Sequence, residues 1–158
     1  MISTIGIAFR LWLWAGMIRV LKRIVPVGTL VRLAHRKTRR LNFAPGGGES
    51  RERFEERLRT YLESRGRFPF RPPSNCLERS LGAYRLLCSA AADPQLVIGV
   101  RRSVEGVEGH VWVTSRGRLL AEAPADLAPF TTIVTFDADA RQRTAAGFEG
   151  ALSAMRVP

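Results

Sequence analysis

An α+β fold, N-terminal helices followed by a small antiparallel sheet, is expected from three observations. Helical periodicity is confined to the residues before about Ala91, β-branched runs dominate the rest of the chain, and an Asp93-Pro94 break separates the two. With 158 residues the chain is expected to form one folded unit with a substantial core. Its 46 % hydrophobic and 25 % charged content are ordinary for a globular protein. Its charge of +11 is not, and it is unevenly placed. No acidic residue precedes Glu49, and residues 1–48 hold nine cations: Arg10, Arg19, Lys22, Arg23, Arg32, Arg36, Lys37, Arg39 and Arg40. The other 110 residues carry 16 basic and 14 acidic side chains, a net of only +2.

Residues 1–34, "MISTIGIAFRLWLWAGMIRVLKRIVPVGTLVRLA", are apolar and basic. Arg10 and Arg19 interrupt the run of about 20 apolar residues that a spanning helix needs. At 100° per residue they point about 180° apart, so the helix is not a clean surface helix. Arg19, Lys22 and Arg23 gather on one side, and Pro26 and Gly28 are expected to end the first helix. Three readings stay open: a packing helix with snorkelling arginines, a membrane-interface anchor, or a docking helix for a partner. The basic character should attract phosphates, acidic headgroups or an acidic partner.

"HRKTRRLNFAPGGGES" (35–50) reads as a basic run and a Pro-Gly-Gly-Gly linker, which divides the chain into 1–48 and 49–158. Only Phe43 interleaves with its cations, so it reads as a solvated or partner-facing segment, not a nucleic-acid surface. "ERFEERLRTYLESRG" (52–66) predicts a helix with Phe54, Leu58, Tyr61 and Leu62 on one face and Gly66 as C-cap. An extended Pro-rich approach, "RFPFRPPSN", leads into a helix from near Cys76 to about Ala91, with Leu77, Leu81, Tyr84 and Cys88 as its apolar stripe. Strands are expected at 95–103, at 109–123 as a hairpin turning at Arg116-Gly117, and at 131–139.

The candidates for chemistry are few. Ser74 or Asn75 can cap the helix that Cys76 opens. The thiol then sits at the positive end of the helix dipole, which favours thiolate. Cys88 lies on the apolar stripe near the other end and reads as core. On one helix the two cysteines stand about 18 Å apart, beyond disulfide reach. Two free thiols, and no secretory signal pattern, suggest a reducing, cytoplasmic location. His110 opens the strand "HVWVT", with Trp112 and Thr114 on its face and Val111 and Val113 on the other. His35 lies in the basic run with no catalytic neighbour. A Cys–His pair in acyl transfer needs a third group to orient the imidazole. Glu122, on the returning hairpin strand, is the first choice, and Asp126 the second. No metal-ligand spacing, phosphate-binding loop or dinucleotide motif occurs, so neither metal nor cofactor is expected.

In order, "NCLERSLGAYRLL", "LVIGVRR", "GHVWVTSRGRLLAE" and "TIVTF" resemble the transglutaminase-like cysteine peptidases that remove leader peptides in lasso peptide biosynthesis. The family's segments read like C-L-x-R-[SA]-L, L-x-I-G-V and H-A-W-V-E-x-x-G, and the resemblance covers about residues 70–140. It implies a papain-like core with Cys76 as nucleophile, His110 as general base and Glu122 in the place of the acidic third member. That place is usually Asp; Val111 stands where Ala is commoner, and Thr114 where an acid is frequent. The resemblance further implies a precursor leader peptide as substrate and a separate leader-recognition-element protein as partner. An ATP-dependent macrolactam synthetase would act on the product. The competing readings are a transglutaminase-like acyltransferase and a non-catalytic basic adaptor at a membrane surface or on an acidic partner.

Overall fold

The computed structural model describes residues 4–40, 50–63, 75–90 and 92–144. Four helices come first: α1 (Thr4–Leu21), α2 (Val27–Arg40), α3 (Arg51–Glu63) and α4 (Cys76–Ser89). The strands β1 (Pro94–Ser103), β2 (Gly106–Ser115) and β3 (Arg118–Leu119) come next, then a short helix α5 (Pro124–Leu127) and the strands β4 (Thr131–Phe136) and β5 (Gln142–Thr144). The sheet is antiparallel in the order β3-β2-β1-β4-β5. The expected helices and strands are present, except that the strand returning after Arg116-Gly117 ends at Leu119 and does not run to 123. β5 is an addition that its polar sequence did not signal.

α4 is the centre of the molecule. It packs on α1 and α2 on one side and on β1 and β2 on the other. Its buried residues run on almost every side, from Glu78 and Ser80 to Leu87, where the sequence suggested a single stripe. Two contacts show how tightly it is held. A Cβ on Gly82 would lie 2.8 Å from Leu11 Cδ2, so the glycine lets α1 approach. Tyr84 donates its hydroxyl to the Asp137 carbonyl at 2.6 Å, which ties α4 to the β4–β5 turn.

Residues on both sides of position 48 share one core. Ile7, Leu11, Ile18, Leu30 and Val31 pack in the same cluster as Leu58, Leu81, Leu87, Val111 and Phe136. α1 ends at Leu21, and Pro26 precedes the next helix, so Gly28 lies in the first turn of α2 and ends nothing. The basic run begins as the last turns of α2; residues 41–49 lie outside the described residues, as do the expected cap Gly66 and the approach at 67–74.

Two arginines tie elements together, Arg85 from within the core and Arg116 from the exposed β2–β3 turn. Arg85 is buried, with its guanidinium 3.9 Å from the ring centre of Trp14 and Nη1 donating to the Ala34 carbonyl at 3.2 Å. Burial lowers its pKa to about 10, so it stays charged at neutral pH, and the ring face and carbonyl stand in for a counter-ion. Arg116, at φ 51° beside Gly117 at φ 75°, forms a two-residue turn of the type that matches strand twist. From that turn it reaches Glu52 at 3.3 Å and Glu55 at 3.5 Å on α3.

Candidate active site

Cys76 is the first residue of α4, and its position is set by the cap. Asn75 has extended backbone, and its side-chain oxygen accepts the Glu78 N–H at 3.0 Å. The Asn75 carbonyl accepts the Arg79 N–H at 3.1 Å. Among the described residues, nothing accepts the N–H groups of Cys76 and Leu77. These free donors mark the positive end of α4, where an anion is favoured. Cys76 is half-buried, free of any disulfide, and packs against the main core cluster.

Two residues further on lies a feature the sequence did not reveal. The Glu78 side chain is 1 % exposed, and it takes Lys22 Nζ on Oε1 at 2.8 Å and Arg19 Nη2 on Oε2 at 3.1 Å. Burial by itself raises this carboxyl. The hydrogen bonds and charges of Lys22 and Arg19 outweigh it and leave the group below the usual carboxylate range. Glu78 is therefore an anion in the first turn of α4, neutralised by Arg19 of α1 and by Lys22 just after it. Two of the three cations that cluster near the end of α1 are thus engaged in holding α1 to α4.

His110 lies on β2 opposite Gly99. Its ring stacks 6.1 Å from that of Trp112 and sits 5.2 Å from that of Phe130. Gly99 is required for this packing, because a Cβ there would come within 2.7 Å of the Trp112 ring. Trp112 belongs to a second small cluster with Val97 and Leu127, whereas Val111 and Val113 belong to the main core with α4. His110 therefore faces away from α4, and Cys76 lies on the α4 side. The nearest tie between the two is Ser80, one turn after Cys76, which donates to the Val111 carbonyl at 2.8 Å.

Glu122 does not lie on a returning strand, because β3 is only two residues long and the chain leaves the sheet after it. A further bond, from the Leu120 N–H to the Val113 carbonyl at 3.1 Å, closes the hairpin. The Val111 carbonyl, where pairing would continue, is taken by Ser80. Glu122 is turned to the α4 side, and Oε1 receives Arg79 Nη2 at 3.0 Å. Asp126 is exposed in the first turn of α5. Among the described residues no hydrogen bond or ion pair joins Cys76, His110 and Glu122 to one another. What the structure does bring together is Glu122 and the Cys76 helix, through Arg79. Arg79 is the arginine of the C-L-x-R-[SA]-L segment, and that match is the signal by which the sequence could have found it.

Cys88 has the opposite environment. Its Sγ donates to the Ala138 carbonyl at 3.8 Å, and burial pushes its pKa up to about 12. His35 is half-buried on α2. No group of three or more potential metal ligands occurs among the described residues, and none of their helices is long and apolar enough to cross a membrane.

Residues 18–135 match the family described as the Transglutaminase-like superfamily, a span that contains Glu78 and its two cations, Cys76, His110 and Glu122. The chain belongs to the transglutaminase-like superfamily. No curated protein and no solved structure matches it. The mixed architecture fits a transglutaminase-like domain, with helices leading into a small antiparallel sheet and a cysteine at the start of the central helix. The match begins inside α1, so the end of α1 that grips Glu78 lies within the family's span.

Proposed function

We propose that this transglutaminase-like protein is a cysteine peptidase that removes the leader from a lasso peptide precursor. The observation that carries the reading is Cys76 as first residue of the central helix, its N–H and that of Leu77 without an acceptor among the described residues, in a chain of this superfamily. His110 takes the thiol proton, and the thiolate attacks the carbonyl of the last leader residue. The oxyanion forms against the free N–H groups at the start of α4. As the intermediate collapses, His110 returns its proton to the leaving amine, which is the new N-terminus of the core peptide. The leader stays behind as a thioester until water hydrolyses it. A separate leader-recognition-element protein delivers the precursor, and a macrolactam synthetase uses the freed amine.

Cys76 and His110 meet in this scheme around the outer edge of β2, which β3 covers only at Thr114 and Ser115. His110 leaves its stack on Trp112 to do so. Glu122 serves as the acidic member by way of its ion pair with Arg79, which keeps the carboxylate at the Cys76 helix.

Alkylation by iodoacetamide, read by mass spectrometry between about pH 5 and 9, tests the pair. Cys76 is expected to react faster than Cys88 throughout that range, and His110→Ala to slow Cys76 while leaving Cys88 unchanged. A Cys76 profile that is unchanged in folded His110→Ala protein removes His110 as its base. Precursor cleavage with the recognition partner, with and without an added amine, then separates hydrolysis from acyl transfer by the mass of the leader product.

A further inference from the structure

α1 is apolar on the face it buries and also on the face it turns outward, with Arg10 and Arg19 at its sides. Ile7, Ala8, Leu11, Ala15 and Ile18 are buried against the core. On its other side Phe9, Trp12, Leu13 and Val20, with Ile24 just beyond the helix, are between 47 % (Trp12) and 80 % (Ile24) exposed. They fall at helical spacing along one stripe, with exposed Gly16 between them and Phe9 stacked on Trp12 at 6.4 Å. An apolar helix face is normally covered.

The charge of this part of the chain says what covers the stripe. Residues 1–48 contain nine cations and no anion. Arg19 and Lys22 are taken by Glu78, but Arg23 stands exposed beside Ile24, and Arg32 is exposed on α2. A second copy of this chain would bring like charge against like. An anionic lipid surface matches both features: it accepts aromatic and aliphatic side chains at headgroup depth and attracts the cations beside them. We infer that the outer face of α1 lies in the plane of an anionic membrane surface, with Phe9, Trp12, Leu13, Val20 and Ile24 inserted among the headgroups and acyl ends. This is attachment from one side, and the core face of α1 remains in the protein.

The test is co-sedimentation of the full chain with vesicles of phosphatidylcholine alone and of phosphatidylcholine with about 30 % phosphatidylglycerol, at low and high salt. Leu13→Gln/Val20→Gln removes apolar contact and keeps the charge; Arg23→Gln/Arg32→Gln does the reverse. Both alter exposed positions, and circular dichroism shows that each variant is folded. Binding is expected on phosphatidylglycerol vesicles, with the first variant at least about tenfold weaker and the second less sensitive to salt. The inference fails if folded wild type ignores those vesicles, or if Leu13→Gln/Val20→Gln binds them equally. It also fails if light scattering finds a wild-type dimer that this variant dissociates, since a second copy then covers the face. Preferential binding of poly-glutamate, unaffected by the stripe variant, overturns it in favour of an acidic protein surface.

Discussion

Cys76 and Cys88 occupy the two ends of one helix, and the differences between them come from what surrounds each end. At the first end the Cys76 and Leu77 N–H groups have no acceptor among the described residues, and the thiol is half-buried. At the other end the thiol is likewise half-buried, but it donates to a carbonyl and burial raises its pKa to about 12. A thiol needs an electropositive and accessible place to become a nucleophile, and only one end of α4 offers it. The same contrast divides β2: Val111 faces the helix and the core, while His110 faces an aromatic stack on the other side.

The largest effect that can break the comparison is on turnover. Cys76→Ala should lower precursor cleavage by about a thousandfold or more with thermal stability retained, because the nucleophile is lost and the fold is not. Cleavage that survives in Cys76→Ala would end the proposed role of this end of α4. Next in size is the anchor of that end. Arg19→Ala/Lys22→Ala leaves Glu78 buried without a counter-ion and should cost about 3 kcal/mol in urea unfolding. Because Glu78 ionises below the usual carboxylate range, its contribution is complete above that range and lost as pH falls through its folded value. Wild type should therefore lose stability on acidification by a step that Glu78→Gln lacks.

Gly99→Ala sharpens the comparison on the sheet. The new methyl group would meet the Trp112 ring at 2.7 Å and Thr131 O at 3.1 Å, and should cost about 1–3 kcal/mol. The His110 stack should shift with the indole, visible as a changed His110 ring resonance in NMR. The smallest effect belongs to the Cys88 thiol. Cys88→Ala should leave cleavage intact and lower stability by about 1 kcal/mol. Wild-type Cys88 should resist alkylation throughout the range in which Cys76 reacts, since a group titrating near 12 stays protonated there.

Most of the fold was legible because it is local. Asn75 before Cys76, the β-branched run of β1 and the Arg116-Gly117 turn each signal themselves within a few residues. The candidate site was legible only by residue type. Placing Glu122 opposite His110 assumed that the hairpin continues, and hairpin length is decided by what competes for the strand edge. Here Ser80, 31 residues from Val111 along the chain, takes the carbonyl that would have extended it.

By itself the sequence determined the order of helices and strands, the capped start of α4 and the uneven charge, since propensity, capping and charge are properties of short stretches. The tertiary structure alone decided that Arg19 and Lys22 serve Glu78 across 59 and 56 residues, and that Arg79 holds Glu122 across 43. Several cations precede Glu78 in the chain, and nothing local selects among them. The choice is made when packing buries one carboxylate and, among the described residues, brings Arg19 and Lys22 to it.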